Sequence, residues 1–232
     1  MNVGNLIATL INKVLNSDRT VKIVMHDLRR MLARVKHSKK DIKPKERLLH
    51  LGAGKRVIPG WLNVDVKGSQ YDLDFASGVL PWSDDVFDSV VSQHVIEHLD
   101  MESELIPLFR ELKRCVRDRG EIWLSCPDME KICHGYVEDK GESLYKDKMY
   151  RYSMDESIGS QPPVQNIINY IFNQNGEHRN IFDYELLEYA INQAELGSCQ
   201  RVSECDLLDN FKDYPRRGDD YQSLYVKVLV NK

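Results

Sequence analysis

A chain of 232 residues, 42% apolar and 29% charged, can bury one sizeable core and lacks the composition of a disordered segment. Its net charge of −4 gives no ground for nucleic-acid binding, and no apolar run reaches the roughly 18 residues of a membrane span. Five cysteines (Cys115, Cys126, Cys133, Cys199, Cys205), odd in number and without a C-x-x-C, argue against a disulfide framework or a structural zinc and for a reducing, cytoplasmic setting.

The N-terminus has no basic n-region of a secretory signal. Residues 1–47 nevertheless hold twelve Lys/Arg against four Asp/Glu, while the rest has twenty against thirty-two, a net −12. Residues 1–45 are therefore read as a basic, helical extension. A short amphipathic helix is predicted over 3–15 and a second over 18–37. In the second, Val21, Val24, Leu28, Met31, Leu32 and Val35 recur at helical spacing, with Arg29, Arg30, Arg34 and Lys36 opposite. The expectation is that the apolar stripe packs on the main domain. The alternative is peripheral membrane contact through this basic arm, or a dimer contact. Residues 39–45, with Pro44, read as a linker.

The main domain spans 46–232. Arg47–Leu51, Trp61–Val66, Phe87–Ser92 and Glu121–Cys126 are predicted strands, and Glu102–Val116 is a helix with Leu105, Leu108, Phe109, Leu112 and Val116 on one face. Residues 128–180 read as a mostly helical insertion after a strand's carboxyl end, where α/β proteins place acceptor-binding segments. Its Tyr136, Tyr145, Tyr150, Arg151 and Tyr152 could stack on and hydrogen-bond a glycan or another polar acceptor. Asp183–Glu195 is a further helix, and Arg201–Cys205 and Gln222–Val230 are closing strands. The alternation of strand and helix predicts an α/β fold, a sheet with helices on both faces.

Gly52-x-Gly54 follows the first strand, where the absence of Cβ lets a ligand approach the backbone. Asp65, at the end of the second strand, can accept hydrogen bonds from both ribose hydroxyls, as in dinucleotide folds. Val57 stands where G-x-G-x-x-G needs its third glycine, and the step to Asp65 is short, so NAD is disfavoured. Residues 52–60 are also few for a parallel crossover, which normally takes a dozen or more. The reading is a very short connecting helix or an earlier first strand.

The segments LHLGAGKRVIPGWLNVDV, LPWSDDVFDSVVSQHVIEHL and FRELKRCVRDRGEIWLSCPD resemble class I S-adenosylmethionine-dependent methyltransferases of the type 11 group, in particular a bacterial branch with a compressed Gly-Trp-x-Asn-x-Asp motif. The resemblance covers residues 47–127 well and 178–197 more loosely. It implies a Rossmann-like sheet of about seven strands and S-adenosyl-L-methionine as cofactor. By the same resemblance Leu51, Gly52, Ala53, Gly54 and Gln93 lie about the cofactor, with Gly52 and Gly54 facing its methionine part. Asp65 would hold the ribose, Val66 would lie beside the adenine, and Asp74 would accept the adenine amino group with Phe75 against the ring. Asp72 competes with Asp74 for that role, and a plain turn carboxylate is the alternative for both.

Methyl transfer to a hydroxyl gains from a general base. His94 opens the turn after the third strand and is the leading candidate. Glu97 and His98, on the same helical face, could orient it or simply cap and pack the turn. His178, with Arg179, at the end of the insertion and before the predicted helix Asp183–Glu195, is a second candidate. His94-x-x-Glu97-His98 also matches an inverted zinc-protease motif, so a zinc-dependent hydrolase is an alternative, as is a non-catalytic cofactor-binding protein. No resident metal is expected under the main reading. Relatives of this type often accompany surface-polysaccharide synthesis, which implies a sugar or another small polar metabolite as acceptor.

Overall fold

The computed structural model describes residues 18–36, 42–152 and 163–232. The helix expected over residues 3–15 lies outside them, as do the side chains of Tyr150, Arg151 and Tyr152. The chain begins with helix α1 (Asp18–Lys36), followed by strands β1 (Leu48–Leu51), β2 (Leu62–Asp65), β3 (Tyr71–Asp72) and β4 (Phe87–Gln93). A π-helical turn, Met101–Leu105, leads into α2 (Ile106–Cys115) and β5 (Val116–Pro127). The insertion holds α3 (Met129–Asp139), α4 (Glu142–Tyr152) and α5 (Asn166–Asn173), and the chain closes with α6 (Tyr184–Gln193), β6 (Gly197–Val202), α7 (Glu204–Asn210) and β7 (Ser223–Val230).

The seven strands form one sheet in the order β3-β2-β1-β4-β5-β7-β6. Strands β1 to β5 pair in parallel, while β7 runs antiparallel to both β5 and β6. Period-two alternation sorts the side chains between two faces. Leu49, Leu51, Val90, Ile122, Leu124 and the β7 residues Leu224, Val226, Val228 and Val230 enter one cluster with Leu108, Phe109 and Leu112 of α2 and Leu187 of α6. Val91, Trp123 and Tyr225 point the other way and pack with Ile58, Trp61, Leu207 and Tyr214. Each such side chain, fully buried, contributes roughly 1.5–3 kcal/mol. The insertion has its own apolar cluster of Ile132, Leu144, Ile167 and Ile171.

The short crossover is resolved without a helix. Ten residues, Gly52–Trp61, connect β1 to β2 through turns. Asn63, 1% exposed, does the work that helical hydrogen bonds would do: its Oδ1 accepts from Ile58 N, and its Nδ2 donates to the carbonyls of Ile58 and Trp61, all at 2.9 Å. Trp61 packs edge-on against Phe211 and Tyr214. The Trp-x-Asn-x-Asp spacing thus staples a compressed loop.

Three expectations are corrected. The strand expected over Arg201–Cys205 ends at Val202, because Ser203 and Asp206 form a capping box that starts α7. The helix expected from Glu102 to Val116 is a π turn followed by ten α-helical residues, and Val116 already belongs to β5. The apolar stripe of helix α1 packs only in part: Val21 is buried and Leu28 partly so, but Val24, Met31 and Leu32 are exposed together with Ile23, whereas Arg30 faces the body and is 14% exposed. Buried carboxylates far along the chain, described below, outcompete apolar burial for that face.

Candidate functional site

The carboxyl ends of β1, β2 and β4 meet at one edge of the sheet. Gly52 and Gly54 there have φ of +78° and +53°, the left-handed region that favours glycine. A Cβ on Gly52 would lie 2.1 Å from Val95 Cγ2, whereas one on Gly54 would meet nothing within 4 Å. Gly52 therefore lets the loop after β4 close down, and Gly54 fronts open space. Asp65 locks the loop: Oδ2 accepts from Gly54 N at 2.8 Å and Oδ1 from Val66 N at 2.7 Å. Each oxygen retains a second acceptor position, as a pair of ribose hydroxyls requires. The amides of Gly52 and Ala53 donate to Val64 O, and Leu51 is buried beneath.

The adenine-side residues are differently disposed. Val66 rests half-buried on the main core, and Phe75 is buried within it. Asp72 Oδ1 accepts from the amides of Gly68 and Ser69, a turn-closing role. Asp74 is 1% exposed, and helix α1 reaches it: Arg30 Nε donates to Oδ1 at 3.0 Å and Arg34 Nε to Oδ2 at 2.5 Å. Arg30 also pairs with Glu104 at 2.7 Å. Gln93 is buried and held at both ends, accepting from Arg56 and donating to Tyr225 Oη.

His94 leaves β4 with φ +56°, a conformation tolerated better by His than by most residues, and its side chain turns away from the glycine loop's strand pair toward β7. Nε2 lies 2.8 Å from Asp219 Oδ2 and 3.1 Å from Ser223 Oγ, and Nδ1 lies 3.3 Å from Glu97 Oε1. Burial works against the charged imidazole, but the hydrogen bond to Asp219 and the pairing with Glu97 outweigh it, so the His94 pKa lies above its ordinary value. Asp219, fully buried, also receives Tyr225 Oη at 2.6 Å and Arg217 Nε at 2.9 Å. Burial opposes its ionisation and these donors overcome that, holding its carboxyl well below the usual range. A general base needs a free nitrogen lone pair. His94 instead has a carboxylate at each nitrogen, the arrangement of a held cation.

Glu97 and His98 sit on a single 3-10 turn, Ile96–His98, and Arg179 N and Asn180 N donate to Glu97 O. That link brings His178 beside His98, ring centroids 4.8 Å apart. Glu97 is fully buried; its desolvation is outweighed by His94 and His98, which keep the carboxyl below its ordinary range. Burial lowers the pKa of His178. The zinc-hydrolase alternative required His94, Glu97 and His98 on one continuous helix; among the described residues no helix carries them, and His94 points away to Asp219. Asp219, Arg217, Ser223, Arg30 and Arg34 were not legible as site residues, because no local motif marks them.

A sheet of this order with β7 reversed, a glycine loop after β1 and a carboxylate ending β2, defines the class I methyltransferase fold. Residues 62–124 match the family model described as a methyltransferase domain. Solved structures similar in fold include the YcgJ protein of Bacillus subtilis, 12% identical, covering 89% of this chain and 100% of that one, with a TM-score of 0.44. A Bacillus halodurans protein described as a methyltransferase is 12% identical over 87% of this chain and 99% of its own, TM-score 0.43. The phosphoethanolamine N-methyltransferase 2 of Haemonchus contortus, solved with S-adenosyl-L-methionine, is 11% identical over 87% of this chain and 52% of its own, TM-score 0.41. None of the curated proteins compared matches the sequence. No helix among the described residues is long and apolar enough to cross a membrane.

Proposed function

We propose that this protein transfers a methyl group from S-adenosyl-L-methionine to a hydroxyl of a small polar metabolite, a sugar being the first class to test. The observation that carries this reading is the loop Gly52–Ala53–Gly54 locked by Asp65, which fits the group: an open approach at Gly54 and two carboxylate oxygens that each accept a single backbone amide and so keep a further acceptor position. The cofactor supplies an electrophilic methyl on a sulfonium whose leaving group is neutral. The chain's own residues then have mainly to orient. Gly52 and Gly54 bring backbone to the methionine end, Asp65 holds the ribose, and Asp74 lies at the adenine end under the arginines of α1. In this reading His98, partly exposed on the post-β4 turn, meets the acceptor, the buried Glu97 supports it from below, and His94 braces the turn against Asp219 in place of abstracting a proton. The exposed Tyr136 and its neighbour Lys140, 4.9 Å from the ring centroid, give the insertion a polar-aromatic face suited to a glycan. The sugar itself rests on the resemblance to enzymes that accompany polysaccharide synthesis.

Calorimetry with S-adenosyl-L-methionine tests the cofactor. Asp65→Ala removes the ribose acceptor and two charge-assisted loop bonds of about 1.5–3 kcal/mol each, so affinity should fall by at least roughly tenfold. Wild-type affinity in that variant would sink the ribose role. Screening sugar and metabolite extracts with methyl-labelled cofactor identifies the acceptor.

The exposed Ile23, Val24, Met31 and Leu32 on α1, in a basic arm, support a second reading in which the extension rests on an anionic membrane surface.

A further inference from the structure

Glu97, His98 and His178 are brought together from opposite sides of the insertion, and one donor atom of each lies within 4.8 Å of the other two. The fully buried Glu97 meets hydrogen-bond geometry with no described residue; Oε1 is ion-paired with His94 Nδ1 at 3.3 Å, so Oε2 is the oxygen left without a partner among the described residues. His178 Nε2 is likewise buried without a partner among the described residues. Buried polar atoms left in this state are rare and costly, and an ion is one of the few explanations that removes the cost.

The second shell points the same way. His178 Nδ1 lies 2.7 Å from Ile171 O and His98 Nδ1 3.2 Å from Glu177 O. A carbonyl oxygen only accepts, so each Nδ1 carries the proton and each Nε2 presents a lone pair. Backbone carbonyls fix metal-ligating histidines in this manner. We propose that Glu97, His98 and His178 form a binding site for a divalent first-row transition metal. Two imidazoles and one carboxylate select zinc, iron(II) or manganese(II) over magnesium or calcium, which prefer oxygen ligands. Ligand atoms around tetrahedral zinc stand about 3.4 Å apart at bond lengths of ~2.0–2.1 Å, so side-chain rotations of roughly an ångström complete the site. An open cleft of about 720 Å³, lined by Asn169, Phe172, Asn173, Gly176 and His178, gives the ion and a ligand a way in.

The site uses His178 where the sequence motif would have used His94. Its task follows if the methyl-transfer reading holds, on which this clause alone rests. A divalent ion lowers the pKa of a hydroxyl it coordinates. The acceptor's proton then leaves to water in the cleft. The oxygen's electron pair forms the new bond to the methyl carbon, and the carbon–sulfur pair returns to sulfur. The ion thereby supplies the means of deprotonation that His94, with a carboxylate at each nitrogen, does not.

The test is metal binding, measured on the full chain. After chelator stripping, wild type should take up about one equivalent of Zn²⁺ by calorimetry and ignore Mg²⁺. His178→Ala and Glu97→Gln should each weaken Zn²⁺ at least roughly 100-fold. Co²⁺ added to wild type should give visible bands of a low-coordinate site with nitrogen ligands, a readout that needs no variant to fold. Absent bands, or Zn²⁺ affinity equal in wild type and His178→Ala, overturns the proposal. S-adenosyl-L-methionine binding is measured on the same stripped protein: cofactor binding without metal binding defeats the metal site alone, and the reverse defeats the methyl-transfer reading alone.

Discussion

Gly52→Ala is the perturbation whose cost can be divided into parts in advance. The residue has φ +78°, and an L side chain there costs about 1–2 kcal/mol. The added Cβ would also meet Val95 Cγ2 at 2.1 Å, an overlap that a packed site relieves only by shifting, at about 1–3 kcal/mol. The single variant should therefore lose roughly 2–5 kcal/mol, or on the order of 5–15 °C in Tm for a chain of this size. Val95→Ala alone removes two buried methyl groups and should cost about 1–2 kcal/mol. It also removes the clash, because the next atom, Val95 Cβ, lies at an ordinary 3.4 Å. Gly52→Ala introduced into Val95→Ala should then cost only the backbone part, and the double-mutant cycle should show a coupling of about 1–3 kcal/mol. Chemical denaturation of the four proteins measures it. Additivity within about 0.5 kcal/mol would refute the claim that Gly52 is required by the approach of the post-β4 turn.

Asp74→Asn should release helix α1, because Asp74 receives both Arg30 and Arg34; amide exchange over residues 20–36 should quicken by tenfold or more, and unchanged protection would remove the latch. His50, 3% exposed, has its pKa lowered to about 4, chiefly by burial. The unfolded chain binds that proton near pH 6.5, so stability is intact above pH 6.5 and falls as the pH drops from there toward 4, by about 2 kcal/mol at pH 5. Urea denaturation at pH 7.5 and 5 should show that loss in wild type and a loss smaller by that amount in His50→Gln; equal losses would clear His50. Sedimentation with anionic vesicles should capture the full chain, and Met31→Asp with Leu32→Asp should abolish most of the capture; identical binding would exclude α1 as the contact.

What was legible in the sequence is what local chemistry determines. Gly52, Gly54 and Asp65 stand within fourteen residues of one another and meet directly, Gly54 N on Asp65 Oδ2. The alternation in β7 shows which residues share the core because nothing but strand geometry is involved. The two-residue β3 has no hydrophobic pattern of its own; the register with β2 holds it, Val64 beside Tyr71 and Asp65 beside Asp72. The orientation of α1 was not legible for a different reason. An apolar stripe predicts burial only when no stronger partner exists for the polar face, and the partners of Arg30, namely Asp74 and Glu104, lie 44 and 74 positions away. The same distance effect hid the environment of His94. Its nearest carboxylate, Asp219, is 125 positions along the chain and, with Glu97 at the other nitrogen, raises the His94 pKa above its ordinary value.

The two ends of the site differ in origin, and that difference bears on specificity. Asp65, which locks the glycine loop, and the post-β4 turn through His98 fall within residues 62–124, the segment that matches the methyltransferase family model. The remaining groups of the acceptor end come from elsewhere: His178 from the far side of the insertion, and Asp219, Ser223 and Tyr225 from the loop before β7 and β7 itself. Glu97 joins the three segments. Its carbonyl receives Arg179 and Asn180, and its carboxylate lies between His94 and the two other histidines. The insertion can vary while the donor half is kept, because among the described residues no hydrogen bond joins Gly52–Asp65 to residues 128–180; the loop before β7 is bound to the donor half, since Arg56 donates to the carbonyls of Pro215 and Arg216 and Trp61 packs on Phe211 and Tyr214. Exchanging residues 128–180 for the corresponding segment of a protein that matches the same family model should therefore leave S-adenosyl-L-methionine affinity within a few-fold of wild type, and on the methyl-transfer reading should change the acceptor. Loss of cofactor binding in that chimera would show that the two halves are not separable.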